Sequence, residues 1–206
     1  VHCADALAFL RAETLPADHG VFTSLPDVSE FRRMELPAWR DWFVDAVRVV
    51  LSRTPPAMAA IFYQTDVKLD GRWIDKSHLV QLGGEAAGAQ LLWHKIVCRA
   101  PAGQATGGRP GYAHLLCLAH EARDRLDGAT ADVLPELGGM TWARAIGLAA
   151  ARAGVGWLRD HVGARGIVDP FCGVGTVLAV ANQQGLSAIG VERNPGRAAK
   201  ARVLVL

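Results

Sequence analysis

Apolar residues along this chain fall into short runs and helix-spaced stripes that alternate over most of its length. Val1 and His2 read as the end of a strand. Ala4 to Arg11 sets Leu7 and Leu10 on one face of a short helix. A polar turn with proline, Leu15 to Gly20, leads into a strand from Val21 to Ser24, which Leu25-Pro26-Asp27 breaks at once. From Trp39 to Ser52 the apolar positions Trp42, Phe43, Ala46, Val47, Val49 and Val50 predict an amphipathic helix of about three and a half turns. Pro55 and Pro56 stop it, and Ala59 to Tyr63 read as a buried strand.

The middle of the chain is more polar. Gln64 to Asp75 alternates around Asp70-Gly71, which suits a hairpin or an exposed loop. Ser77 is placed to cap a helix running to about Gly88. Leu91 to Arg99 and Tyr112 to His120 are strand-like, and the loop of glycine and proline from Ala100 to Gly111 joins them without a helix, so they should pair antiparallel. A polar linker spans about Asp124 to Gly139, and Thr141 to Val162 reads as one long helix. Ile167 and Val168 then form a strand ending at Asp169, Thr176 to Gln184 a helix, and Ala188 to Val191 a second buried strand followed by Glu192.

That last stretch carries the chemistry. Gly173 and Gly175 let the turn after the strand come close to a ligand, and Glu192 stands where nucleotide-binding βαβ units put a ribose-binding carboxylate. Val177 and Leu178 stand where a dinucleotide fingerprint would have its third glycine, and no G-x-x-x-x-G-K-S/T phosphate loop is present. The ligand should be adenosine-like. The wording Asp169-Pro170-Phe171-Cys172-Gly173-Val174-Gly175-Thr176 resembles motif I of S-adenosylmethionine-dependent amino-methyltransferases, D-P-F-x-G-x-G-T.

The order of the segments adds to this resemblance. The glycine loop lies near the end of the chain, after the antiparallel pair, as in the permuted β-class of DNA amino-methyltransferases. In that class a segment like G-D-x-L-x-x-L leads to a strand ending T-S-P-P-Y; here the same path runs through Asp5, Leu7 and Leu10 to Thr23-Ser24-Leu25-Pro26-Asp27. Leu91-Leu92-Trp93-His94-Lys95 and Arg109-Pro110-Gly111-Tyr112-Ala113-His114 are similar to later class patterns. The resemblance implies an α/β fold: one domain, residues 1–206, with a Rossmann-like, doubly wound sheet of seven strands including an antiparallel pair, in circularly permuted order.

It also implies roles. S-adenosylmethionine would be held by Asp5, Thr23, Asp169, Pro170, Phe171, Gly173, Gly175, Thr176 and Glu192, with Asp5 beside the adenine and Glu192 on both ribose hydroxyls. The catalytic loop would be Ser24, Leu25, Pro26 and Asp27, whose acceptors hold and aim an exocyclic base amine. Asp27 departs from the class, which has an aromatic residue there to stack on an extruded base. It suits either an acceptor for another base edge, guanine among them, or a cap of the turn at Val28 and Ser29. Phe31 or Tyr63 are the remaining candidates for stacking.

Several further residues have two readings. Lys68, Arg72, Lys76, Lys95, Arg99 and Arg109 suit a basic rim for phosphates or a solvated face, and Tyr63, Lys68, Lys95, Arg99 and Arg109 are the candidate substrate contacts. Gln64-Thr65-Asp66 ends a strand, where a substrate contact or a plain turn fits. His94 and His114, on facing strands, read a substrate or satisfy one another; no metal is expected. Cys172 belongs to the glycine loop, which argues against a covalent cysteine mechanism.

Composition bounds the remainder. Half of the 206 residues are apolar, which suits one sizeable core. A net charge of +2 neither requires nor excludes nucleic acid. Four scattered cysteines without C-x-x-C spacing fit a reducing cytoplasm, and no apolar run is long enough to span a membrane. Only about twenty residues separate the Tyr112 strand from the Thr141 helix. So short a segment favours RNA, read by shape and by flipped bases, over DNA as the partner. The competing expectations are DNA adenine or cytosine amino-methylation, methylation of protein or a small molecule, and a non-catalytic module that binds RNA or a partner.

Overall fold

The computed structural model describes residues 1–31, 33–124 and 129–206. In chain order the elements are α1 (Ala6–Ala12), β1 (His19–Thr23), a 3-10 turn (Val28–Glu30), α2 (Leu36–Arg53), β2 (Ala59–Gln64), β3 (Val67–Leu69), β4 (Arg72–Ile74), α3 (Lys76–Ala87), β5 (Gln90–Cys98), β6 (Tyr112–Ala119), β7 (Val133–Leu134), α4 (Leu148–Val162), β8 (Gly166–Asp169), α5 (Thr176–Gln183), β9 (Ser187–Gly190) and α6 (Pro195–Val203). Among the described residues, seven strands form one sheet in the order β7-β5-β6-β2-β1-β8-β9, and β3 and β4 form a separate hairpin. β6 runs antiparallel to both β2 and β5; the other pairings in the sheet are parallel. The α/β sheet with an antiparallel pair, expected from the sequence, is therefore present.

Strand alternation explains how both faces are covered. On β2, Ala59, Ile61 and Tyr63 join a core with Trp157, Leu158 and Val177 from α4 and α5, whereas Ala60 and Phe62 join the opposite core with Phe43, Val47 and Leu79 from α2 and α3. α2 approaches α3 closely because Gly83 lies against Val47: a β-carbon there would come within 2.5 Å of the valine's own. Asp70 and Gly71, both at positive φ (48° and 72°), form the two-residue turn between β3 and β4, so this segment is a hairpin and not a loop.

Three expectations are corrected, and one element goes beyond them. The cap of α3 is Asp75, whose carboxylate accepts the His78 N–H at 3.0 Å, while Ser77 donates its hydroxyl to Asp75. The polar linker contains β7, two residues paired with Ile96 and Val97, too short to leave a periodic signal. The long helix starts at Leu148 rather than Thr141. Its first amides are met from outside, Leu148 N–H by the Gly139 carbonyl (2.8 Å) and Ala149 N–H by that of Leu137 (3.0 Å), as the chain folds back at Gly138. Finally, α6 follows Asn194-Pro195, an N-cap and first-turn proline pair that the apolar pattern alone does not reveal.

Candidate active site

β1 is the strand from which the sheet grows in both directions. The chain passes from β1 through α2 to β2 on one side, and from β8 through α5 to β9 on the other, with the two helices on opposite faces. The carboxyl ends of β1 and β8 therefore diverge into a crevice, the usual ligand position in open α/β sheets. A buried hydrogen bond spans the two ends, from the Thr23 hydroxyl to Asp169 Oδ1 at 2.7 Å. The Phe171 N–H donates to the same oxygen at 3.1 Å. Burial pushes the Asp169 carboxyl up to about 7 against these two bonds, and the charge of Glu192 adds to the rise.

Past Asp169 the loop turns through Gly173 and Gly175, at φ of 55° and 90°. Gly175 is confined twice: its φ is left-handed, and a β-carbon would meet Ala201 of α6 at 3.0 Å. Glu192 follows β9 and accepts the Asn194 N–H at 2.7 Å. Asp5 caps α1 by accepting the Ala8 N–H at 2.9 Å. These acids, the loop and a wall of aromatic rings enclose a cavity of about 150 Å³. In that wall Phe31 lies 4.7 Å from Trp42, and Trp42 meets Phe171 edge-on at 6.2 Å. Carboxylates and aromatic rings, with Arg144, Arg193 and Arg197 in the same lining, suit a flat, hydroxyl-bearing ligand that carries charges of both signs.

A second cleft, about 370 Å³, opens beside the first. Ser24, Leu25, Glu30, Arg144 and Ala145 line both, so the loop after β1 divides them. Lys68, Arg99 and Arg109 line the second cleft together with Tyr63 and Gln64. Asp27 lies there too. Its N–H donates to Glu30 Oε1 at 3.2 Å, and its Oδ2 is 3.5 Å from the buried ammonium of Lys76. Desolvation holds Lys76 below the usual lysine range, although Asp27 opposes that shift.

No protein-family model matches the chain, and no curated protein matches it by sequence. Solved structures do. A Thermus thermophilus protein named as a DNA modification methylase is similar with a TM-score of 0.74 and 20% identity, over 97% of this chain and 91% of that one. The same protein complexed with S-adenosyl-L-methionine matches at 0.70 and 19%. PvuII DNA methyltransferase, cytosine-N4-specific, matches at 0.73 and 13%, over 98% of this chain and 84% of that one. The chain shares the fold of these methyltransferases.

Within the methyltransferase fold, the predicted residues separate by position. Asp5, Asp169, Pro170, Phe171, Gly173, Thr176 and Glu192 line the first cavity; Thr23 lies behind it, and Gly175 supports it from the α6 side. Ser24, Leu25 and Pro26 also line it, whereas Asp27 lines the second cleft alone. Tyr63, Lys68, Arg99 and Arg109 line the second cleft. Lys95 lines neither: its ammonium donates to the Thr130 carbonyl at 2.9 Å and pairs with Asp132 at 3.0 Å. Phe31 belongs to the first cavity, so of the two stacking candidates Tyr63 is the one in the second cleft.

His94 and His114 do satisfy one another, Nε2 to Nδ1 at 2.9 Å. His114 also meets Asp66 at 3.0 Å, and Asp66 accepts the Lys76 N–H and the Trp73 indole N–H, both at 2.8 Å. Burial raises the Asp66 carboxyl, but these bonds outweigh it and hold the group below its ordinary range. Asp66 thus ties the β3–β4 hairpin to β6 and α3. Among the lining residues that escaped sequence reasoning, which include Glu30 and Arg197, are Trp142 and Arg144. They lie in the segment read as helix, and Arg144 reaches Glu30 at 3.2 Å across the boundary of the two cavities.

Proposed function

We propose that this chain is a single-domain S-adenosylmethionine-dependent N-methyltransferase acting on an exocyclic amine of a nucleic-acid base. The observation that carries the reading is the pair of adjoining cavities divided by the Ser24–Leu25 loop: the first lined by Asp5, Asp169, Glu192, aromatic rings and three arginines, the second by Tyr63, Lys68, Arg99 and Arg109 beside Asp27 and Asp66. The first cavity fits S-adenosylmethionine by its donors and acceptors. Glu192 has one oxygen left beyond its bond to Asn194 and accepts from ribose hydroxyls, Asp5 borders the adenine end, and the buried Asp169 carboxylate gains a cation to offset its desolvation.

When bound, S-adenosylmethionine supplies a methyl group on a positively charged sulfur: transfer forms a carbon–nitrogen bond, breaks the carbon–sulfur bond and frees one proton from the amine. The amine's lone pair is delocalised into its ring, which makes it a weak nucleophile. Ser24 and the Leu25 carbonyl accept its hydrogens and aim it at the first cavity; positioning supplies most of the acceleration. Asp27, beside them, takes up the released proton or passes it to solvent. Tyr63 stacks on the extruded base, and Lys68, Arg99 and Arg109 meet its phosphates.

DNA now takes precedence over RNA as the substrate. The length argument for RNA is weakened because this chain spans 84% of the PvuII DNA methyltransferase, so an enzyme named for DNA is little longer. The segment order, with the glycine loop after the antiparallel strand β6, is compatible with the same class. A cytoplasmic protein is consistent with four free cysteines, and no helix among the described residues is long and apolar enough to cross a membrane. The test is transfer of labelled methyl from S-adenosylmethionine to genomic DNA, total RNA and total protein in parallel. Label in DNA supports this reading in full, label in RNA alone restores the RNA substrate, and label in protein alone or in nothing overturns base methylation.

A further inference from the structure

Beside the methyl-transfer loop, the second cleft holds three polar atoms without partners. Gln64 is 1% exposed at the carboxyl end of β2, and neither its Oε1 nor its Nε2 has a hydrogen-bond partner; the same is true of Asp27 Oδ1. Burying such groups unpaired is costly, and an amide leaves both a donor and an acceptor in deficit. Two polar groups beside them are committed. Lys76 faces the second oxygen of Asp27, and Asp66, two residues past Gln64, is saturated by Trp73, Lys76 and His114. The deficit is therefore local to Gln64 and Asp27, which line one cleft together with Tyr63.

Building on the function proposed above, we infer that Gln64 and Asp27 form a reader for the Watson–Crick edge of guanine. The unpartnered set is one amide N–H group and two acceptors. Guanine presents the complement on three adjacent groups: a carbonyl oxygen for the Gln64 N–H, a ring N–H for the Gln64 oxygen, and an amine N–H for Asp27. Adenine and cytosine present N–H bonds on the exocyclic amine alone, with ring acceptors beside it. One of the two acceptors is then left facing another acceptor, or both must share the amine that has to be aimed at the first cavity. Guanine is held on Gln64 by its ring N–H and carbonyl and gives one amine N–H to Asp27, which leaves the other amine N–H for the Ser24–Leu25 loop. In the unliganded chain these atoms are closed to solvent, so a base that reaches them has to displace the side chains over them.

The test uses the whole chain with single-stranded oligonucleotides, DNA and RNA in separate arms, each containing guanine or inosine, which lacks the 2-amine. Binding is read without cofactor by fluorescence anisotropy, and methylated nucleosides are identified by mass spectrometry after transfer. Binding to the guanine oligonucleotide at least tenfold tighter than to the inosine one, with methyl on the guanine 2-amine, is the expected result. Asp27→Ala is expected to abolish that preference, and Gln64→Leu to weaken binding of the guanine and inosine oligonucleotides alike, at least fivefold, while melting no lower than the parent, since it removes two unpaired polar atoms and keeps the volume. Methyl on adenine or cytosine, or a Gln64→Leu variant that binds the guanine oligonucleotide as tightly as the parent, overturns the guanine reading and leaves base methylation standing. Absence of transfer to any oligonucleotide overturns both.

Discussion

Replacing Asp169 by asparagine probes the buried carboxylate between β1 and β8. Asparagine keeps an oxygen for the Thr23 hydroxyl and the Phe171 N–H, at 2.7 and 3.1 Å in the parent, and removes the charge. The parent carboxyl rises from 3.8 in the unfolded chain to about 7 in the folded one. Below pH 3.8 both states hold the proton; between 3.8 and 7 the folded state keeps it while the unfolded state loses it. Stability of the parent therefore falls as pH rises through that window and levels off above it. At about 1.4 kcal/mol per unit the full cost is roughly 4 kcal/mol at pH 8. Asp169→Asn is thus expected to be more stable by about 2–4 kcal/mol at pH 8 and equal near pH 4, a rise in Tm of about 5–15 °C that vanishes in acid. Calorimetry of both chains without cofactor, at pH 4.5 and 8, measures it. A difference independent of pH, or a variant less stable at pH 8, refutes the desolvated carboxylate. With S-adenosylmethionine the order should invert: the parent gains stability on binding and the variant gains little, because the ligand's cation has lost its partner.

Glu192→Gln keeps an acceptor for Asn194 but loses the charge that receives two hydroxyls; titration calorimetry should show S-adenosylmethionine binding weakened by about 1.5–3 kcal/mol, with Tm nearly unchanged. Gly175→Ala forces a side chain into a φ of 90° and against Ala201, which should cost about 2–4 kcal/mol in denaturant unfolding. Arg144→Ala removes a half-exposed ion pair with Glu30, so stability should change by less than about 1 kcal/mol. Oligonucleotide binding should weaken and lose roughly one unit of its salt slope, read by anisotropy at several salt concentrations.

Much of the first cavity was legible in the linear sequence. Asp169, the paired glycines and Glu192 lie within one strand–turn–helix–strand unit, where local spacing alone sets the geometry, and the apolar runs of β2 and β6 announce themselves by burial on both faces. Local signals failed where partners come from far away. The segment from Thr141 to Ile146 has helical composition, yet carbonyls of Leu137 and Gly139 take the first amides of α4 and leave Trp142 and Arg144 over the two cavities. Lys95 looked like a phosphate contact until Asp132, on the strand side that composition hid, paired with it.

The sequence by itself therefore determined the layered α/β class, the glycine loop and the acid after the last strand, because each depends on residues a few positions apart. Tertiary structure decided which polar groups have partners. His114 and Asp66 are saturated by contacts that span up to 48 positions, while Gln64 and Asp27 keep atoms unpaired in the second cleft. Hydrogen-bond satisfaction is a property of neighbours in space, and no local pattern contains it.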